Sequence, residues 1–258
     1  MIETTQTWKI GDCLELLPKI DSDSINMILT DLPYGITDCA WDSIIPLKPL
    51  WKEYKRIISN RGAIVLTGSQ PFTTILINSN IEMFKYCWVW VKTMPTNHIS
   101  AKVRPMTRHE DILVFSKGTI ANHSPNLMNY YPQNLKNFNK SLHCSSSKAG
   151  NAHGTRPSHK NIIFQKYTNY PNTILKFSNT IHNNIHPTQK PVELFKYLIK
   201  TYTNEGDTVH DSCLGSGTTL EACRLTNRNC IGFEISNEWE KYYPERILQH
   251  NKKLNEWI

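Results

Sequence analysis

Ile25-Asn26-Met27-Ile28-Leu29-Thr30-Asp31-Leu32-Pro33-Tyr34 is the stretch on which the fold turns. Its first six residues form a short apolar run of the kind found in a buried strand. A carboxylate, a stiff proline and an aromatic ring then sit together where that strand ends. In open α/β sheets, ligands bind at this carboxyl edge. An acceptor carboxylate beside a flat ring suits a planar base that carries an amino group. Taken alone, Asp31-Leu32-Pro33-Tyr34 reads more readily as a turn, with the aspartate accepting backbone hydrogen bonds and the proline fixing φ.

A second landmark shifts that balance. Asp211-Ser212-Cys213-Leu214-Gly215-Ser216-Gly217-Thr218-Thr219 follows a strand-like Asp207-Thr208-Val209-His210 and precedes Leu220–Leu225, which has helical spacing. Strand, glycine loop and helix make a nucleotide-type cradle. Gly215 and Gly217 permit close backbone approach, and the helix start offers free N–H groups. No Gly-Lys-Ser/Thr follows, so this is not a Walker loop, and the third glycine of the dinucleotide fingerprint is missing. The next strand, Asn229–Phe233, ends in Glu234, roughly 20 residues past the glycines, where an acid can meet ribose hydroxyls. A surface carboxylate at a strand end is the alternative.

With both motifs in view, the chain resembles the amino-directed DNA methyltransferases that use S-adenosyl-L-methionine (SAM). Their catalytic motif is Asp/Asn/Ser-Pro-Pro-aromatic, and their cofactor loop is Asp-Pro-Phe-x-Gly-Ser-Gly. The catalytic motif comes first here, as in the circularly permuted β class. Gly11-Asp12-Cys13, the strands at Gly62–Gly68, Trp88–Lys92 and His109–Phe115, and His186-Pro187-Thr188-Gln189-Lys190-Pro191 extend the likeness. It implies a three-layer, Rossmann-like α/β fold with a mostly parallel sheet. It implies catalytic Asp31, Leu32, Pro33 and Tyr34. It implies SAM held by Asp12, His186, Lys190, Asp211, Leu214, Gly215, Ser216, Gly217, Thr218, Thr219 and Glu234. Read from the residues alone, Asp12, Thr218 and Thr219 serve equally as helix caps, and Lys92 faces either pocket or solvent. Two positions depart from the family pattern: Leu32 stands where proline is usual, and Ser212-Cys213 where Pro-Phe is usual.

Charge points to the partner. The 258 residues carry a formal net charge of +7. From Ile112 to Val192 there is no acid and nine basic residues, which leaves the remainder at −2. An acid-free basic segment beside such a core predicts a polyanion, here double-stranded DNA. Candidate phosphate contacts are Lys102, Arg104, Arg108, Lys136, Lys140, Lys148, Arg156 and Lys160. A flexible, solvated loop is the competing account.

Seven cysteines form no CxxC pair and no signal peptide is read at the start, which predicts reduced thiols in a cytosol. Histidines and cysteines lack zinc spacing, so no metal is expected, and no apolar run reaches membrane-spanning length. The resemblance implies a bacterial or phage-encoded enzyme, open to homodimerisation and to pairing with a cognate restriction endonuclease.

Along the chain, residues 1–118 alternate strand and helix patterns and form the catalytic half, with helices at Leu47–Ser59 and Pro71–Ser79. Residues 119–184 lack a sustained period, although Asn161–Phe164 and Thr173–Phe177 are short apolar pieces; this is read as the target-recognition insertion. Residues 185–258 form the SAM-binding half, with helices at Pro191–Tyr202 and roughly Glu238–Trp257. The resemblance implies adenine N6 as the acceptor, because the motif begins with aspartate. Cytosine N4, a protein glutamine amide, or DNA binding without catalysis are the alternatives. The glutamine enzymes place the cofactor loop first, the reverse of the order here.

Overall fold

The structure, a computed structural model, describes residues 3–35, 42–143, 162–179 and 189–248. Among them the chain forms two units, 1–131 with 173–258, and 132–172.

The larger unit is built on an eight-stranded sheet in the order β1-β10-β9-β2-β3-β5-β4-β8. The strands are β1 (Gln6–Ile10), β2 (Ile25–Thr30), β3 (Ile58–Gly68), β4 (Phe84–Thr96), β5 (Thr107–Phe115), β8 (Ile174–Lys176), β9 (Thr208–Asp211) and β10 (Asn229–Glu234). Pairing is parallel throughout except where β5 runs antiparallel between β3 and β4.

Strand sequence explains the layering. Successive side chains of a strand face opposite ways. Met27 and Leu29 of β2, Ala63 and Val65 of β3, and Ile112 and Val114 of β5 enter one core. Ile25 and Ile28, Ile64 and Leu66, and Leu113 and Phe115 enter the other. Helices cover both. The first core packs on α4 (Val192–Tyr202) and α5 (Thr218–Leu225), and includes Tyr243 of α6 (Tyr243–Leu248). The second packs on α1 (Cys13–Leu16), α2 (Leu47–Ile57) and α3 (Phe72–Ser79). In α2 the buried residues are Leu50, Trp51, Tyr54 and Ile57, a single helical stripe. Each fully buried aliphatic or aromatic side chain contributes roughly 1.5–3 kcal/mol.

The long apolar strands and α2 to α4 lie close to their sequence-predicted positions. Pro71 and Pro191 cap α3 and α4 rather than opening their first turns. The expected final helix begins as a 3-10 turn, Asn237–Tyr242, and continues as α6; its remainder lies outside the described residues.

The main body also reaches into both ends of the segment read as an insertion. Met128 is buried in the first core. The Asn129 N–H bonds the Arg61 carbonyl at 2.8 Å, and the Tyr131 N–H bonds the Thr201 carbonyl at 2.7 Å. Thr173–Phe177 supplies edge strand β8. Within the second unit, β6 (Lys136–His143) pairs antiparallel with β7 (Ile162–Thr168).

Candidate active site

Two strands distant in sequence lie side by side at the centre of the sheet. Met27 and Ile28 of β2 pair with Val209 and His210 of β9. From this pair the chain winds outward in both directions, through β3 on one side and β10 on the other. This is a topological switch point, the place where an α/β sheet opens a crevice at its carboxyl edge. The motif after β2 and the glycine loop after β9 therefore share one rim. Thr30 stitches them together. Its hydroxyl donates to Asp211 Oδ1 at 3.0 Å and accepts from the Ser212 N–H at 2.9 Å.

A cleft of about 610 Å³ opens there. Asp31, Leu32, Pro33 and Tyr34 line it, as do Asp12, Lys190, Asp211, Leu214, Gly215, Ser216, Thr218, Thr219 and Glu234. Gly217 stands behind the loop instead, against Tyr243. The lining is acidic in a basic protein. Among the described residues it holds Asp12, Asp31, Asp42, Glu110, Asp211 and Glu234 against only Lys92 and Lys190.

Asp31 is held by three side chains. Its Oδ1 accepts from the Tyr34 hydroxyl at 2.8 Å and from the Thr67 hydroxyl. Its Oδ2 accepts from Lys190 Nζ at 2.6 Å. An ionised carboxylate offers about four acceptor positions, so one remains. Lys190 Nζ lies 3.4 Å from Glu110 Oε2, and Lys92 Nζ lies 2.5 Å from Glu110 Oε1. Burial acts to raise the Glu110 carboxyl pKa, but Lys190 and Lys92 outweigh it and hold the acid below its ordinary range. Burial likewise acts against the Lys190 charge, and Asp31 and Glu110 more than restore it, so this ammonium keeps its proton more firmly than usual. Lys190 thus sends its ammonium to Asp31 rather than to the glycine loop; only its backbone carbonyl meets that loop, accepting from the Thr218 hydroxyl at 3.3 Å. Tyr34 packs on Phe72, with ring centroids 5.2 Å apart and planes at 29°.

The glycine loop is braced from below and behind. Buried Asp211 accepts from Thr30, from the Cys213 N–H at 3.0 Å and from the Thr219 hydroxyl. Burial pushes its carboxyl up to about 7. Glu234 Oε2 accepts from the Gly215 N–H at 2.7 Å, and its Oε1 from the Ser236 N–H at 3.0 Å. The buried Leu214 side chain fills the space over Gly232. Behind the loop, the Tyr243 hydroxyl donates to the Gly215 carbonyl at 2.9 Å and Arg246 Nε to the Ser216 carbonyl at 2.9 Å. Asp12 caps α1, accepting from the Leu14 N–H at 2.8 Å, while also lining the cleft.

Other candidates lie elsewhere. Lys102, Arg104 and Arg108 are exposed on and beside the β4–β5 connection, whose ends, Thr96, Asn97 and Thr107, line the cleft. Lys136 and Lys140 are exposed on β6 of the second unit. His186, Lys148, Arg156 and Lys160 lie outside the described residues. Sequence reading missed Thr67, Glu110, Tyr243 and Arg246. Glu110 had no local signal, since it stands in the polar run Thr107–Asp111 that leads into the apolar part of its strand.

A doubly wound sheet with an aspartate–proline–aromatic turn and a glycine cradle on one crevice defines the amino-group methyltransferase class. The profile of a family described as "DNA methylase" matches residues 25–245, and the chain belongs to that family. It is 27% identical over 247 residues to the Type II methyltransferase M.HpaI of Haemophilus parainfluenzae, covering 92% of this chain and 72% of that protein. It is 27% identical over 255 residues to the DNA adenine methyltransferase YhdJ of Escherichia coli K12, covering 92% and 81%. Among solved structures, the fold matches that of the PvuII cytosine-N4-specific DNA methyltransferase with a TM-score of 0.67 at 18% identity, over 98% of this chain and 92% of that one. It also matches the M1.HpyAVI–SAM complex with a TM-score of 0.59 at 21% identity, over 94% and 100%. The protein is an amino-directed DNA methyltransferase. Among the described residues, no helix is long and apolar enough to cross a membrane.

Proposed function

We propose that the protein methylates the exocyclic N6 amino group of adenine at a specific word in duplex DNA, by direct transfer to a flipped base. The observation that carries this reading is the bonding of Thr30, next to Asp31, to Asp211 at the root of the glycine loop. It sets the aspartate and the cradle on one rim.

The residues fit SAM. A β-carbon at Gly215 would meet nothing within 4 Å, so the loop backbone leaves open space on the cleft side. The acid-rich lining suits a cationic sulfonium. The loop from Leu214 to Thr219 would hold the cofactor, with Asp12 and Glu234 near its adenosine. When bound, SAM supplies an electrophilic methyl group.

The remaining work falls to the chain. An exocyclic amino nitrogen is a poor nucleophile because its lone pair is delocalised into the ring. The last acceptor position of Asp31 takes one N–H, and the Leu32 carbonyl takes the other. The nitrogen is then drawn toward tetrahedral geometry with its lone pair free. Asp31 would offset the positive charge that develops on the amino nitrogen as it takes the methyl group, and the nitrogen would then give up one proton to water. Positioning of this kind is worth about 7–11 kcal/mol in favourable cases. Tyr34, held by Phe72 and by its bond to Asp31, offers the ring on which the base stacks. Direct transfer needs no thiolate, and the two cysteines that line the cleft among the described residues are held as thiols. Burial pushes the Cys13 thiol up to about 12 and the Cys213 thiol well above its ordinary range.

Adenine is favoured by the leading aspartate of the motif. The test is transfer of labelled methyl groups from SAM to DNA, followed by digestion to nucleosides and sequencing of methylation marks. N6-methyladenine at one word is expected; N4-methylcytosine in the digest would refute the choice of base.

A further inference from the structure

The connection between β4 and β5 combines features that the transfer chemistry leaves unused. It runs from Asn97 to Met106 and, with Met94 near the end of β4, exposes four large apolar side chains, Met94, Ile99, Val103 and Met106. Ile99 is 102% exposed and Val103 86% exposed, the two highest values among the exposed large apolar residues. Such side chains gain from leaving water, yet here they stand out in it.

The segment is nonetheless ordered by its own backbone. The Ser100 N–H bonds the Asn97 carbonyl at 3.2 Å, Ala101 bonds His98 at 3.1 Å, and Val103 and Arg104 both bond Ser100 at 3.0 Å. At its base, Asn97 Nδ2 donates to the Thr107 hydroxyl at 2.9 Å. The tip is therefore a hydrogen-bonded turn and not a loose strand of chain.

Its charge identifies the occupant. No acid lies between Glu82 and Glu110, while Lys102, Arg104 and Arg108 flank the apolar residues. A tip that is apolar at its end and cationic along its sides matches a nucleic-acid duplex, with phosphates outside and stacked bases within. Its feet, Thr96, Asn97 and Thr107, line the same cleft as Asp31. It thus rises from the mouth of the pocket that receives the base.

We infer that the Asn97–Met106 turn is a wedge that enters the base stack of duplex DNA, with Ile99 and Val103 filling the place left by the extruded base. This rests on the base-flipping reading above. Apolar side chains inserted between base steps unstack them, and a flipped base must be unstacked and unpaired before it reaches the pocket. Filling the vacated space would slow its return.

The test uses the full chain and a duplex oligonucleotide carrying the word found by sequencing methylation marks. A second duplex places the target base opposite an abasic site, so that it is already unpaired. In single-turnover transfer, Ile99→Ser with Val103→Ser should lose about 10- to 100-fold on the paired duplex and less than about 3-fold on the abasic one. SAM affinity and thermal stability should match the unaltered protein, because both side chains lie in solvent. Ile99→Leu with Val103→Ile should keep transfer on both duplexes. Equal losses on the two duplexes, or no loss on either, would overturn the wedge. If the unaltered protein transfers methyl to both duplexes but shows no preference of any variant for the abasic one, the wedge fails while the methyltransferase reading stands. If it transfers to neither, the reading beneath it fails.

Discussion

Gly215 and Gly217 have similar backbones and different surroundings, so the same substitution should do different things at each. Both lie in the left-handed region, with φ of 49° and 77°. Alanine at either costs roughly 1–2 kcal/mol for that conformation. At Gly217 the new β-carbon also meets the Tyr243 ring at 2.9 Å. That ring is fully buried and tied through its hydroxyl to the Gly215 carbonyl, so it has little room to retreat. Overpacking adds about 1–3 kcal/mol, for a total of about 2–5 kcal/mol. At Gly215 nothing lies within 4 Å. For a domain of this size, 1 kcal/mol corresponds to about 2–4 °C. Gly217→Ala should therefore lower Tm by about 4–20 °C, and Gly215→Ala by about 2–8 °C. The order reverses for cofactor affinity. Gly215 lines the cleft, so its methyl group should weaken SAM binding by about tenfold or more, equivalent to at least 1.4 kcal/mol. Thermal melts and titration calorimetry of both variants give the comparison. Equal melting losses, or a Gly215→Ala protein that binds SAM as well as the parent, would refute the reasoning.

Two further outcomes are expected. Asp31→Asn should reduce single-turnover transfer by about 100- to 1000-fold while SAM affinity is retained, because a neutral amide oxygen cannot balance charge developing on nitrogen; near-normal turnover would remove Asp31 from the chemistry. His210 and Asp211 should oppose each other in stability against pH. Burial pulls His210 down from 6.5 to about 4, so the unfolded chain binds its proton first and the fold loses stability as pH falls through that window. Burial pushes Asp211 up from 3.8 to about 7, so the fold holds that proton and gains stability over nearly the same fall. Relative to the parent, Asp211→Asn should lose about 2–3 kcal/mol between pH 6.5 and 4.5, and His210→Gln should gain a similar amount, read from urea midpoints. Parallel pH profiles for all three proteins would contradict this.

The parts legible in sequence were those with local cause. The runs 25–30, 62–68 and 112–115 are largely apolar on both faces and announce buried strands. Asp31 follows such a strand and Gly215 follows the short strand Thr208–Asp211, so a shared rim could be expected from topology rules alone. Partners supplied at a distance were not legible. Thr67 sits at the end of β3 as one more strand residue until β3 lies beside β2. Tyr243 and Arg246 reach the glycine loop only because α6 returns against α5, and nothing in their local spacing signals it. Lys190 drew a cofactor role from its motif; it lines the cleft, and its bond to Asp31 was not legible. The lack of a sustained period in 119–184 concealed Met128, a single buried residue, and although Thr173–Phe177 stood out as an apolar piece, nothing in a three-residue strand showed that it would join the edge of the main sheet.

The pairing of β2 with β9 has a mechanical consequence. Neighbouring strands in a sheet are about 4.8 Å apart. The two reactive turns are thus mounted on adjacent rungs of one ladder, with no hinge between their roots. Reach between them is fixed when the sheet forms, and a change in a remote helix alters rate only insofar as it tilts that rung. Selection can then reshape the outer turns that greet a duplex while leaving the gauge of the reaction untouched.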